Sequence, residues 1–120
     1  LGDKASMVVA EVSYETTDPT VDAQIIQLRA SNADALFIVA TGKHATQAMR
    51  KAHELGWKPQ IYLPVGSASV PGVLKPAGTD AATGVITAAT AKSAGDPAWD
   101  DDPGMKQYLE WAKKWAPELN

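Results

Sequence analysis

Cysteine is absent from the 120 residues. Disulfides, thiol nucleophiles and zinc–thiolate sites are therefore excluded. The compartment stays open, because exported and cytosolic proteins alike can do without the residue. No apolar run approaches the roughly 20 residues that a membrane helix needs. Eleven Lys and Arg stand against fourteen Asp and Glu, and the cations are scattered. No basic stripe exists to neutralise phosphates, so no nucleic-acid partner is expected. Internal repeats and low-complexity tracts are missing too. No catalytic set assembles. His44 and His53 lack the i, i+4 spacing of a helical metal pair, and neither is placed to activate a Ser or Thr nucleophile. Asp96, Asp100, Asp101 and Asp102 lack the spacing of a calcium loop and read as a solvated loop. The expectation is a chain that is not an enzyme and carries neither metal nor cofactor.

What remains is ordinary for a globular protein: 45% hydrophobic and 21% charged residues, enough for one domain over 1–120. Met7–Ser13 (MVVAEVS) reads as a strand. Asp18 and Pro19 suit a helix start, and Val21, Ile25 and Leu28 mark one helical face that Asn32 can close. Ala35–Ala40 (ALFIVA) is apolar without alternation, which predicts a strand covered on both faces. Ala45, Ala48, Met49, Ala52 and Leu55 predict the next helix, with Gly56 as its stop. Gln60–Pro64 and Gly84–Thr90 read as further strands. Between them Pro71 fits the start of a short helix and Pro76 its end. After a polar loop, Asp102 caps and Pro103 starts a last helix lined by Met105, Leu109, Ala112 and Trp115. Trp99, Tyr108, Trp111 and Trp115 are assigned to packing, with Trp111 off the main apolar face.

Strands alternating with helices predict an α/β fold, a doubly wound and mostly parallel sheet flanked by helices. Ligands bind such sheets outside the carboxyl ends of the strands. The candidates are Tyr14-Glu15, Thr41-Gly42-Lys43, Val65-Gly66-Ser67 and Ala91-Lys92. Thr41-Gly42 precedes a helix whose free N–H groups favour an anion, or it is a plain corner that Thr41 caps. Val65, Gly66 and Ser67 offer close backbone approach and a hydroxyl, or only a loop with Ser69 as cap.

The stretch DPTVDAQIIQLRASNADALFIVATGKHATQAMRKAHELGWKPQIYLPVGSAS resembles the C-terminal lobe of type I periplasmic solute-binding proteins. The nearest group is the branched-chain amino acid binding type that serves ABC transporters. The likeness lies in Asn32-Ala33-Asp34-Ala35-Leu36, a Q-x-x-R-x-A-x-x-x-G helix from Gln47 to Gly56, Lys58-Pro59-Gln60, and Ala81-Ala82-Thr83-Gly84-Val85. It spans about residues 3–117.

The resemblance implies a periplasmic, bacterial, two-lobed parent that closes on a small-molecule ligand and docks on an ABC permease, with this chain a fragment of one lobe. It implies that Thr41, Gly42, Val65, Gly66 and Ser67 face the ligand cleft. Aligned by Pro64 and Gly66, amino-acid binders of this family carry a Glu where this chain has Val65, so a hydrophobic or aromatic carboxylate fits better than a branched-chain amino acid. It implies, too, that the first strand of the lobe lies upstream of Leu1, between Met7–Ser13 and Ala35–Ala40 in the sheet. The fragment is then expected to self-associate or exchange strands. A ligand-sensing domain of the same fold in a receptor or regulator is the alternative. A phospho-receiver fits poorly, because Ala40 is not followed by an Asp.

Overall fold

The computed structural model describes residues 2–119, in two compact units, Leu1–Ala88 and Ala89–Asn120. In the first, a 3-10 helix, Gly2–Met7, precedes α1 (Asp22–Arg29), β1 (Ala35–Phe37), α2 (Gly42–Glu54) and β2 (Gln60–Leu63). A 3-10 turn over Val65–Ser67, a π turn over Val70–Leu74, α3 (Lys75–Ala77), α4 (Thr79–Ala82) and β3 (Ile86–Thr87) follow. The second unit holds a 3-10 turn, Pro97–Trp99, and α5 (Pro103–Trp115), with a last 3-10 turn at Pro117–Leu119.

The strands form one parallel sheet in the order β1-β2-β3. Leu36 pairs with Ile61, Phe37 with Tyr62, and Tyr62 with Ile86. This is the α/β class with a parallel sheet flanked by helices. Parallel neighbours require crossovers, and both crossovers lie on one face, because α2 packs against the π turn, α3 and α4. α2 is the centre of the core. Its Ala45, Ala48, Met49 and Ala52 recur at helical spacing and are buried against Leu36, Ile38, Ile61, Leu63 and Val73. Gly56 ends the helix as expected, at φ 66°, a conformation that costs a residue with a Cβ. Asn32 takes the same left-handed turn after α1, at φ 56°. Lys51 ties α1 to α2 through Asp22 at 3.2 Å; the Asp22 hydrogen bond, with help from Glu54, raises its pKa.

Several expectations are corrected. Met7–Ser13 is not a strand: Val8 donates to the Ala5 carbonyl and the chain runs on without regular structure to Tyr14. Valine favours strands only when a neighbour supplies the ladder and packing, and β1 pairs only with β2 among the described residues. Next, Ala35–Ala40 is not covered on both faces. Leu36 and Ile38 point into the core, while Phe37 and Val39 are 68% and 79% exposed. Phe37 stacks on Tyr62 there, with centroids 4.6 Å apart, and β1 itself stops at Phe37. β3 is likewise shorter than Gly84–Thr90. Third, Asp18 does not cap α1. Its carboxylate accepts from the Glu15 N–H at 3.0 Å, closing a turn, and Val21 stands at the cap position. Fourth, Pro76 does not end the short helix. Val73 and Leu74 N–H both donate to the Ser69 carbonyl, and this wide turn places Pro76 in the first turn of α3, where a missing N–H is tolerated. The stop is Gly78, at φ 98°.

In the second unit Asp102 caps α5 as expected, accepting from the Met105 N–H at 2.9 Å. The Lys92 ammonium on the same carboxylate, followed by the Met105 N–H, holds Asp102 below the usual carboxylate range. Met105 and Ala112 are buried. Trp115, however, is 63% exposed, and Tyr108 and Trp111 are also exposed, so the packing assigned to them is not found. Lys114 lies 5.0 Å above the Trp115 ring instead.

Met49 has no exposed surface and belongs to the buried cluster formed by helix and strand residues. Met49→Ala is expected to lower unfolding free energy by about 2–5 kcal/mol, and Met49→Leu by less than about 1.5 kcal/mol, as read from urea denaturation midpoints.

Candidate functional site

Parallel strands carry all their carboxyl ends to one rim. There the chain leaves β1 through Ala40-Thr41-Gly42 and β2 through Pro64-Val65-Gly66-Ser67. The two loops are joined: the buried Ser67 hydroxyl donates to the Ala40 carbonyl. Thr41, Gly42, Val65, Gly66 and Ser67 therefore sit along one wall, as the topology predicts.

Their roles differ. Ser67 is 3% exposed and its hydroxyl is engaged behind the wall, so it braces the two loops rather than offering itself to a solute. Val65 is half exposed and forms the apolar part of the wall. Gly66 has open space where a Cβ would stand. Gly42 is tighter, since a Cβ there would lie 3.3 Å from Val73 Cγ2. Thr41 occupies the N-cap position of α2 in extended conformation, yet its hydroxyl makes no capping bond. The first bond of the helix runs from the Ala45 N–H to the Thr41 carbonyl, at 2.8 Å. The N–H groups of Gly42, Lys43 and His44 precede it and have no helical acceptor. With the helix dipole they make this corner hospitable to negative charge.

Tyr14, a candidate from its sequence position, does reach the wall, whereas the part played by His44 escaped sequence reasoning. The Thr41 N–H donates to the Tyr14 hydroxyl at 2.9 Å. His44, buried in the first turn of α2, bridges Thr41 Oγ1 (Nδ1, 2.9 Å) and the Asp18 carbonyl (Nε2, 3.0 Å). Its ring lies 4.8 Å from that of Tyr14. The Thr41–His44 bond is local, but the bonds to Tyr14 and Asp18 join residues 27 and 26 positions apart and no local pattern announces them; only the expected end-of-strand position of Tyr14-Glu15 pointed there. Ala91 and Lys92 belong to the second unit, where Lys92 pairs with Asp102 and lies 5.1 Å above the Trp99 ring.

A larger hollow, about 580 Å3, opens at the amino ends of β2 and β3 between α2 and α4. Several of its polar groups are engaged with the backbone, while His53, Lys58 and Asp80 also line it. Gln60 donates to the Gly84 carbonyl at 2.7 Å, the Trp57 indole to Ala33, and Thr83 to Thr79. The other rim is the candidate ligand site on topology, because ligands bind parallel sheets outside the carboxyl ends of the strands. No group of three metal-ligating side chains occurs among the described residues.

A family model described as periplasmic binding protein matches residues 3–119. The chain belongs to the periplasmic binding protein family. No curated protein and no solved structure matches it. Members of the family bind small molecules, and an extracytoplasmic place goes with the family in general. A wall at the carboxyl rim suits a periplasmic binding protein, whose parallel sheet presents its loops together.

Replacing Ser67 by Ala leaves the partly buried Ala40 carbonyl without its donor. The expected loss is about 0.5–1.5 kcal/mol of stability, measured by chemical denaturation of the variant.

Proposed function

We propose that this chain is the ligand-binding wall of one lobe of a solute-binding protein that feeds an ABC permease, and that its solute is a small hydrophobic or aromatic carboxylate. The protein is non-catalytic in this reading and works in the bacterial periplasm. Val65 carries the argument. It stands half exposed on the rim beside the free N–H groups of α2, so the wall pairs anion-friendly donors with an apolar surface. A solute with an α-ammonium would be desolvated against valine. An unpaired buried ion costs several kcal/mol, and each 1.4 kcal/mol is tenfold in affinity. A carboxylate with an apolar body escapes that penalty.

Calorimetric titration of the full-length protein with benzoate, leucine and isoleucine tests the reading. Benzoate is expected to bind and the two amino acids to bind weakly or not at all; tight leucine binding would defeat it. Val65→Glu is expected to reverse the preference, strengthening leucine by about tenfold or more while weakening benzoate.

We further propose that the 120-residue chain, handled alone, self-associates. Phe37, Val39 and Ile86 lie exposed on the uncovered sheet face, and β1 has an unpaired edge, a template for another strand. Light scattering is expected to show a mass that rises with concentration. A constant monomer mass would rule this out.

A further inference from the structure

Tyr14 does not follow a strand of the sheet, yet its hydroxyl reaches the Thr41 corner. We propose that Tyr14 contacts the solute and that His44 is the residue that positions it, an inference that rests on the solute-binding reading above.

A phenol has one donor and two acceptor lone pairs. The Tyr14 oxygen accepts the Thr41 N–H at 2.9 Å, and no acceptor for its own proton occurs among the described residues. The O–H is therefore a free donor within one hydrogen bond of Thr41. The ring is half buried in a shallow groove beside Ile25 and Val39, with His44 against it. Its direction is fixed by packing rather than chosen by the solute. A phenol proton facing a carboxylate makes a short, charge-assisted hydrogen bond, so the solute class is one presenting a carboxylate at this corner.

His44 holds the arrangement from behind. A backbone carbonyl can only accept, so Nε2 bears the proton donated to Asp18. In the neutral ring Nδ1 then accepts from the Thr41 hydroxyl. One ring thus pins both ends of the contact: Thr41, which donates to Tyr14, and Asp18, which ends the Tyr14–Asp18 turn. That turn is closed by the Asp18 N–H on the Glu15 carbonyl and the Glu15 N–H on the Asp18 carboxylate. Gln47 holds Pro19 from one turn further along α2, at 3.0 Å. His44 touches no solute; it acts through the place it gives Tyr14 and Thr41.

The test uses Tyr14→Phe, His44→Phe and the double variant of the full-length protein. Benzoate binding is measured by calorimetry and the denaturation midpoint alongside. Tyr14→Phe keeps the ring and is expected to weaken benzoate about tenfold with little change in midpoint. His44→Phe is expected to weaken it several-fold, but to add almost nothing in the Tyr14→Phe background, since coupled residues are not additive. Benzoate binding untouched by Tyr14→Phe overturns the contact while leaving the solute-binding reading intact. Additive losses overturn the positioning role of His44. No benzoate binding by the wild type overturns this inference together with the carboxylate reading. Where His44→Phe does not fold, hydrogen exchange of the Thr41 amide decides the link: acceleration by Tyr14→Phe supports it, and an unchanged rate overturns it.

Discussion

Parallel pairing of Leu36 with Ile61 and of Tyr62 with Ile86 constrains every other element of the first unit. Strands that run the same way cannot be joined by a tight hairpin, so each must be followed by a crossover long enough to return to the starting end. α2 makes one return and the π turn with α3 and α4 makes the other. Because both returns pack together, they bury one face of the sheet and the alternate side chains that point to it. The same geometry fixes the rim. Ala40 and Pro64 leave their strands side by side, and a single hydroxyl, that of Ser67, is enough to join the loops that follow.

Hydrogen-bond accounting separates wall from scaffold. At the rim, Ser67, Thr41 and His44 all carry groups suited to solute recognition, yet their side chains are engaged with Ala40, with each other and with Asp18. What is left unengaged there is main-chain N–H at the start of α2, the Tyr14 proton and the apolar surface of Val65. The large hollow at the opposite end of the sheet lies at the amino ends of β2 and β3. There the Gln60 amide, the Trp57 indole and the Thr83 hydroxyl close on neighbouring carbonyls. Volume alone does not identify a binding site; in a parallel sheet the carboxyl rim is the end that gathers the strand-end loops.

The stretch from Ala35 to Gly56 was legible because its signals are local: an apolar run, a small-residue corner, a helical stripe and a glycine stop. Ser69 and Asp102 were legible as caps for the same reason. Met7–Ser13 was not, because its valines favour a strand only when a partner completes the ladder, and no residue within the segment supplies that partner. Pro76 misled because a wide turn before it shifts the proline into a tolerated position. The alternating burial of Phe37 and Val39 was hidden by their being as apolar as Leu36 and Ile38; composition does not say which face will be covered. On the rim, Thr41, Gly42, Val65, Gly66 and Ser67 were located by topology, but the bracing role of Ser67 and the tether of His44 depend on contacts between distant segments. A sequence position shows where a loop ends, not which of its groups is already hydrogen-bonded.

The proposed solute class raises one further question, whether an acid on this rim could pair an ammonium that Val65 cannot. Asp18 accepts the Glu15 N–H at 3.0 Å, so part of its capacity is used within its own turn, and it stands behind Tyr14 at the far end of the His44 tether. Glu15 follows Tyr14 directly but is exposed. An exposed carboxylate facing an ammonium contributes about 0–1 kcal/mol, whereas desolvating that ammonium costs several kcal/mol. The two magnitudes do not balance. In the proposed reading, a solute held by Val65 and the free donors of α2 is favoured to bring negative charge and apolar surface and to leave positive charge in water, and this asymmetry follows from the polar groups of the proposed wall rather than from its shape.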